Sequence, residues 1–374
     1  MAPFEVPRPD LADALRRRAD SGAPLLLVGP PGSGKTSALL ALAARLRREG
    51  RTAVYLDLMG AASSPELFVR AALDALPASA FGRHLQRATE IRRLAAAGRQ
   101  HAAETVMALF ELWADEGEGR GVTVLLDEAT EIRSLAYFAG LRDVDKPFAR
   151  ALLARGRGTI LATSFPTLAR RFWSFETLAV GPLGEPAIAA ALAAAGSALD
   201  PRALAAAAFG WARYLALLVR SARPGEDVAS VWVREMAQGG ALETACRGTY
   251  ESLLLRSRGY GMSKAVLAVV AAEPGLNLTA LVDRIGRTPG AVRDYLQWLV
   301  GVDALSMVRK RYSYIDGLLG GWVRLHARGI PPSGAELEAA LRETLSGPAP
   351  EAASQPAEAA APGRTRADSL MEID

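Results

Sequence analysis

Cysteine is almost missing from this sequence. Cys246 is the only one in 374 residues, which excludes an internal disulfide. Histidine is nearly as scarce: His84, His101 and His326 lie far apart, and no Cys/His set with metal-ligand spacing can be assembled from them. Half of the residues are apolar, yet no run of eighteen or more is uninterrupted. The Ala-rich stretch 186–208 comes nearest, and Glu185, Asp200, Pro201 and Arg202 break it into short helices rather than a membrane span. The N-terminal Met-Ala-Pro-Phe-Glu-Val has neither a basic start nor an apolar core, so no secretory signal is expected. These absences lead to the expectation of a soluble, cytoplasmic protein with no membrane partner. Lysine is also rare, four against forty arginines, which draws attention to where each lysine falls.

The chain is long enough for two or three domains, each with its own core. A formal net charge of only +4 offers no global basic field, but the charge is unevenly spread. Residues 262–330 hold nine Lys/Arg against five Asp/Glu, and residues 331–374 hold three Arg against eight Asp/Glu. A basic module followed by an acidic tail is the reading. Over 1–182, short apolar runs alternate with helical patterns, as in a βαβ sheet. Leu25–Val28 is one continuous run; 53–58, 122–126 and 159–163 are the others. After Gly181-Pro182 the pattern over 183–260 is helical only. Residues 261–330 read as three short helices and two strand-like segments around Arg309-Lys310-Arg311. The segment 331–374 is expected to be an acidic, mostly disordered tail, rich in Pro, Ala, Ser and Glu from Gly347 onward.

The segment Gly29-Pro30-Pro31-Gly32-Ser33-Gly34-Lys35-Thr36 matches G-x-x-x-x-G-K-[ST] in full, between an expected strand and an expected helix. Gly32 and Gly34 permit backbone conformations that turn successive N–H groups inward, and the following helix adds its positive end. Lys35 is suited to the β- and γ-phosphates and the Thr36 hydroxyl to Mg²⁺, with Ser37 beside it. A glycine-rich turn without a ligand is the plainer reading, and the strand-loop-helix context argues against it. Downstream, Val-Leu-Leu-Asp127-Glu128 ends an apolar strand in two carboxylates, at the sheet edge where open α/β folds bind ligands. Asp127 is suited to the Mg²⁺ shell and Glu128 to orienting or deprotonating an attacking water. A solvated strand end is the alternative. The pair argues for ATP hydrolysis, since a protein that only binds ATP or ADP does not need Glu128.

With these motifs, and with Thr159-Ile-Leu-Ala-Thr163-Ser164 as the next strand, the chain resembles the AAA+ superfamily of P-loop ATPases. Within it the sequence is similar to prokaryotic ATPases of the archaeal type, near the STAND and replication-initiator clades. Tyr55-Leu-Asp-Leu58, Ala179-Val-Gly-Pro-Leu183 and Tyr312-Ser-Tyr-Ile-Asp316 extend the likeness over roughly 4–325. The resemblance implies an α/β P-loop NTPase domain, a helical lid and a C-terminal winged helix. It implies that Ser164 (or Thr163) acts as a γ-phosphate sensor, with Ser where many members have Asn. It places Arg213, in Gly210-Trp-Ala-Arg213, as a lid residue that folds onto the γ-phosphate. It places Arg170 and Arg171 where a finger reaches a neighbouring subunit, so an ATP-dependent homo-oligomer or partner protein is expected. It also sets Phe4-Glu-Val-Pro-Arg8 against adenine.

In the helix opened by Thr288-Pro289, Val292, Leu296 and Leu299 share one face, while Arg293 and Gln297 point elsewhere. If that helix enters a major groove of double-stranded DNA, these two meet base edges, and Arg287 and Arg309-Lys310-Arg311 meet phosphates. Asp294 on the same helix opposes tight base reading. Arg83, Arg87, Arg92, Arg93 and Arg99 form a second basic patch, read as a solvated helical face. Cys246 is expected to pack as a small apolar residue. The leading reading is a Mg²⁺-dependent ATPase that couples nucleotide state to lid and winged-helix movement on DNA. The alternative is a STAND-like switch acting through a protein partner. A metabolic kinase is disfavoured, since no acceptor-binding module is evident.

Overall fold

The protein is described here from a computed structural model, which covers residues 4, 6–20, 23–76, 84–116, 122–255 and 259–347. Its first part is a five-stranded parallel sheet: β1 (Leu25–Val28), β2 (Ala53–Asp57), β3 (Thr123–Asp127), β4 (Thr159–Thr163) and β5 (Glu176–Ala179). The spatial order is β2-β3-β4-β1-β5, with β1 paired to both β4 and β5. β1, β3 and β4 are buried at every position, which is why they read as continuous apolar runs. β5 carries Glu-Thr-Leu-Ala on the sheet's edge and is only half-buried, so hydropathy did not announce it.

Helices cover both faces. On one side lie α1 (Pro9–Arg18) and α2 (Lys35–Arg48), which bury Leu15, Leu39, Leu42 and Leu46 against Leu25, Leu27, Leu125 and Ile160. A short turn of helix, α3 (Leu58–Ala61), follows β2 and leads to α4 (Pro65–Asp74), whose Ser64 side chain accepts from the Leu67 N–H. With α5 (Leu85–Ala96), α6 (Ala102–Glu116) and α7 (Asp145–Arg155), α4 forms the opposite layer. A chain of rings, Phe68, Phe110, Trp113, Phe148 and Trp173, fills that layer at centroid spacings of 5.6–6.4 Å. In the basic patch of α5, Arg87 pairs with Glu111 and Asp115, Arg92 with Asp74 and Arg93 with Glu90. Its charge is thus largely compensated within the chain; Arg83 lies outside the described residues.

The short α8 (Pro166–Phe172) follows β4 and hands the chain on through β5 to an all-helical region. That region holds α9 (Glu185–Ala195), α10 (Pro201–Ala207), α11 (Ala212–Ser221), α12 (Val228–Met236) and α13 (Ala241–Leu255). Next come α14 (Tyr260–Ala272), α15 (Leu278–Ile285), α16 (Pro289–Gly301) and the antiparallel hairpin β6 (Leu305–Val308) and β7 (Arg311–Tyr314). Leu276 adds a bridge to Tyr312, so three helices and a small sheet make a winged-helix-like extension. The hairpin tip is tight because Arg309 and Lys310 both take positive φ, at 50° and 62°. α17 (Gly317–His326) then returns to α13 and α14. One apolar core runs through all of these helices to Leu341 and also takes in Phe165, just after β4.

The first part of the segment expected as an acidic, mostly disordered tail holds a helix that was not anticipated. α18 (Gly334–Ser346) is a regular helix, opened by a reciprocal capping box between Ser333 and Glu336. Leu337, Ala340 and Leu341 recur at helical spacing and are buried against α10 and α12. Bulk composition hid that periodicity. Residues 348–374, where disorder was also expected, lie outside the described residues. Among the described residues no helix is long and apolar enough to cross a membrane.

The winged-helix-like extension meets the sheet domain along α8, where Asp303 makes a polar seam. Asp303, just after α16, takes a left-handed conformation with φ of 55°. Its carboxylate accepts from the Thr167 N–H at 3.0 Å and from the Thr167 hydroxyl at 2.7 Å. Burial pushes the Asp303 carboxyl above its usual range, and the Thr167 bonds pull against that. Thr167→Val removes one donor and keeps the shape. It should lower unfolding stability by about 1–3 kcal/mol, read from the urea midpoint; an unmoved midpoint would show the seam to be energetically idle.

Candidate nucleotide site

The carboxyl ends of β1, β3 and β4 meet at one cleft of about 1070 Å³. The loop after β1 makes its floor. Gly32 and Gly34 have φ of 79° and 100°, which only glycine adopts without strain. Ser33 lies wholly buried beneath the loop, while Pro31, Gly32, Gly34, Thr36 and Ser37 line the cleft. α2 begins at Lys35 with no side-chain cap and no acidic residue in its first turn. Its N–H groups and positive end therefore face the cleft uncompensated, as an anion site requires.

Lys35 is 3% exposed and uses all three donors inside the chain. They go to the Gly29 carbonyl at 2.9 Å, the Pro30 carbonyl at 3.1 Å and Ser164 Oγ at 3.0 Å. Ser164 in turn donates its hydroxyl to Glu128 Oε1 at 2.5 Å and its N–H to Oε2 at 3.0 Å. Glu128 sits directly after β3 with φ 46° and ψ 50°, a strained conformation for a non-glycine residue, held by these two bonds. Burial lowers the Lys35 ammonium, opposed by the nearby Glu128 and Asp127 carboxylates. Burial raises the Glu128 carboxyl, opposed first by Lys35. Thr163, the other sensor candidate, is turned inward: its hydroxyl pairs with Thr130 and accepts from the Phe165 N–H.

Asp127 is 2% exposed and accepts from the Tyr55 hydroxyl at 2.9 Å and from the Glu128 N–H at 3.0 Å. Burial, then the Asp127 carboxylate, pushes the Tyr55 phenol above its usual range, so it stays a donor. Thr36 and Asp127 offer hard oxygen ligands of the kind Mg²⁺ takes alongside phosphate oxygens. The donor chemistry and the glycine cradle both fit a magnesium nucleotide. Among the described residues no set of three or more His, Cys, Asp or Glu is gathered to hold an ion alone.

Arg213 stands on the first turn of α11, where its N–H donates to the Gly32 carbonyl at 3.0 Å and its guanidinium to Thr249 Oγ1 at 3.2 Å. A Cβ at Gly32 would lie 2.7 Å from the Arg213 Cβ, so helix and loop are in direct contact. Phe4, Val6 and Arg8 line the same cleft. Arg8 donates to the Gly181 carbonyl at 2.8 Å and to the Ser33 carbonyl at 3.3 Å, tying the N-terminal segment to the loop. Arg170 and Arg171 are not brought in. Both are exposed on α8 near Asp303, and the Arg171 guanidinium lies beside Gly301. Tyr55 and Arg8 lay in segments the resemblance singled out, but the bond of Tyr55 to Asp127 and the hold of Arg8 on the loop were not anticipated.

Residues 17–155 match a family model described as an AAA domain. Among solved structures, the Walker-type ATPase of Pyrococcus abyssi superposes with a TM-score of 0.64 at 15% identity, over 85% of this chain and 96% of that one. It is similar in fold. The fold is therefore a P-loop NTPase core, similar over residues 17–155 to an AAA domain, followed by a helical, winged-helix-like extension. AMPPCP-bound DnaA from Aquifex aeolicus aligns at 13% identity over 78% of this chain and 86% of that chain, with a TM-score of 0.30. A DNA replication initiation factor aligns at 12% identity over 89% and 81%, with a TM-score of 0.32. At these scores neither superposition defines a shared architecture. No curated protein matches the sequence.

If Lys35 serves the phosphates, Lys35→Ala should weaken ADP and ATP binding by at least about 100-fold, through loss of charged hydrogen bonds to them. Calorimetric titration reads this directly, and an unchanged affinity would remove Lys35 from the phosphate site.

Proposed function

We propose that the protein is a Mg²⁺-dependent ATP hydrolase whose nucleotide state moves the helical lid and winged helix, and that it acts on double-stranded DNA. The Lys35–Ser164–Glu128 chain carries the hydrolytic reading. It sets a phosphate-seeking ammonium and a proton-accepting carboxylate on either side of one hydroxyl, where a γ-phosphate and its attacking water would lie. In this reading Gly29 to Ser37 cradle the phosphates, and Thr36 and Asp127 hold Mg²⁺. Ser164 senses the γ-phosphate, with its neighbour Thr163 engaged elsewhere. The ion itself would neutralise charge on the β- and γ-oxygens.

Contacts of α11 support coupling. Arg213 lies on the loop, and the next residue, Tyr214, donates to Asp316 Oδ2 at 2.6 Å. Asp316 caps α17 by accepting from Leu318 and Leu319 N–H groups. A shift of Arg213 toward a γ-phosphate would thus pull on the helix that follows the wing. We take 1–182 as the nucleotide domain, 183–260 as the lid and 261–330 as the winged helix. Arg170 and Arg171 remain candidates for contact with a neighbouring subunit, because both are exposed and neither lines this chain's own cleft.

Support for DNA comes from α16 and the hairpin. Arg293, Asp294 and Gln297 form the exposed stripe of α16, and Arg293, Arg309, Lys310 and Asn277 border a shallow groove of about 530 Å³. Arg311 donates to the Gly275 carbonyl, so only part of the wing's charge is committed internally. A regulatory switch working through a protein partner is the second reading, favoured by the Asp303–Thr167 seam that holds the extension against the nucleotide domain.

Glu128→Gln should retain ATP yet lower turnover by about 10²- to 10⁴-fold; full activity would take Glu128 out of this role. Anisotropy of labelled duplex DNA should show binding that weakens steeply with salt and falls on Arg293→Ala by about 1–3 kcal/mol. No binding even at low salt would sink the DNA reading and leave the protein switch.

A further inference from the structure

Tyr55 is the third residue of β2. Alternation along the strand turns Val54 and Leu56 toward the ring-filled layer and Tyr55 toward the α2 layer. On β3 the same alternation puts Val124 and Leu126 on the first face and Leu125 on the second, and carries Asp127 to that second face. The parallel register sets Tyr55 beside Leu125 and Asp57 beside Asp127. Asp127 is therefore the diagonal neighbour of Tyr55, one pleat nearer the carboxyl edge of the sheet. A phenol crosses that diagonal, and shorter hydroxyl side chains at this position would not.

The terminal torsion of an aspartate is soft, so one anchor leaves its carboxylate free to swing. Asp127 has two. Tyr55 holds Oδ2 at 2.9 Å and the Glu128 N–H holds Oδ1 at 3.0 Å, which leaves each oxygen lone-pair capacity for a further ligand. We propose that Tyr55 is a positioning residue of the magnesium site: its hydroxyl fixes the Asp127 carboxylate in the orientation that receives a divalent cation delivered with a nucleotide. The inference rests on the reading of Asp127 as a member of that ion's shell. Partners that orient a metal's ligand commonly govern metal affinity without touching the metal.

The test measures ADP affinity of the full chain with saturating Mg²⁺ and with EDTA; the ratio of the two is the metal's gain. Tyr55→Phe keeps the ring against α2 and removes one oxygen. Its affinity in EDTA should stay as in the parent, while the gain shrinks by about tenfold. Half-saturation by Mn²⁺, titrated at fixed ADP, should move upward in step. An unchanged gain overturns the proposal, and so does an equal loss with and without metal, which would mark Tyr55 as structural only. Asp127→Asn separates the two levels. If it removes the gain while Tyr55→Phe does not, the Tyr55 inference fails and the Asp127 reading stands. If Asp127→Asn leaves the gain intact, the Asp127 reading fails and this proposal with it.

Discussion

A serine hydroxyl between a buried ammonium and a carboxylate is the contact on which this site depends. Lys35 and Glu128, each taken out of water alone, would cost several kcal/mol. Ser164 joins them, accepting from one and donating to the other. The three residues follow three different strands, β1, β3 and β4, which stand side by side in the sheet. The order β3-β4-β1 brings their carboxyl ends together, so the sheet topology sets up the polar chain. The left-handed Glu128 belongs to the same arrangement: its backbone strain is held by the bonds that aim its side chain.

Much of this was legible in the residues. Continuous apolar runs marked β1, β3 and β4 because strands buried on both faces have no polar side to interrupt them. The glycine spacing and Lys35 marked the loop because a phosphate cradle tolerates few other residues. Other features could not be read that way. β5 forms through backbone bonds to β1 and shows no hydropathy of its own. Ser164 was placed by resemblance, but its simultaneous hold on Lys35 and Glu128 depends on side-chain directions that spacing does not encode. Asp303 lies 136 residues from Thr167, and nothing local announces their pairing. α18 was missed for a different reason: its helical spacing was present, and an acidic, Ala-rich composition outweighed it.

The helical part of the molecule is tied to the loop by short links. Gly210, at φ 66°, lets the chain turn tightly against Leu183, where a Cβ would fall 2.8 Å from the Leu183 carbonyl oxygen. Three residues later Arg213 rests on Gly32, and the residue after that grips Asp316. Burial raises both the Tyr214 phenol and the Asp316 carboxyl, and their hydrogen bond answers the polarity of each in a place water does not reach. Breaking it would leave Oδ2 of a buried carboxyl without its donor, with only Oδ1 still held by the Leu318 and Leu319 N–H groups.

The apolar core that runs from Phe165 to Leu341 has a mechanical meaning. Close-packed side chains resist internal bending, since any flexure opens voids. The all-helical region, the winged-helix-like extension and α18 thus share one core, which also takes in Phe165 just after β4. Under the proposed ATPase reading, a displacement at the loop would be passed through this shared core toward the hairpin tip rather than absorbed within it.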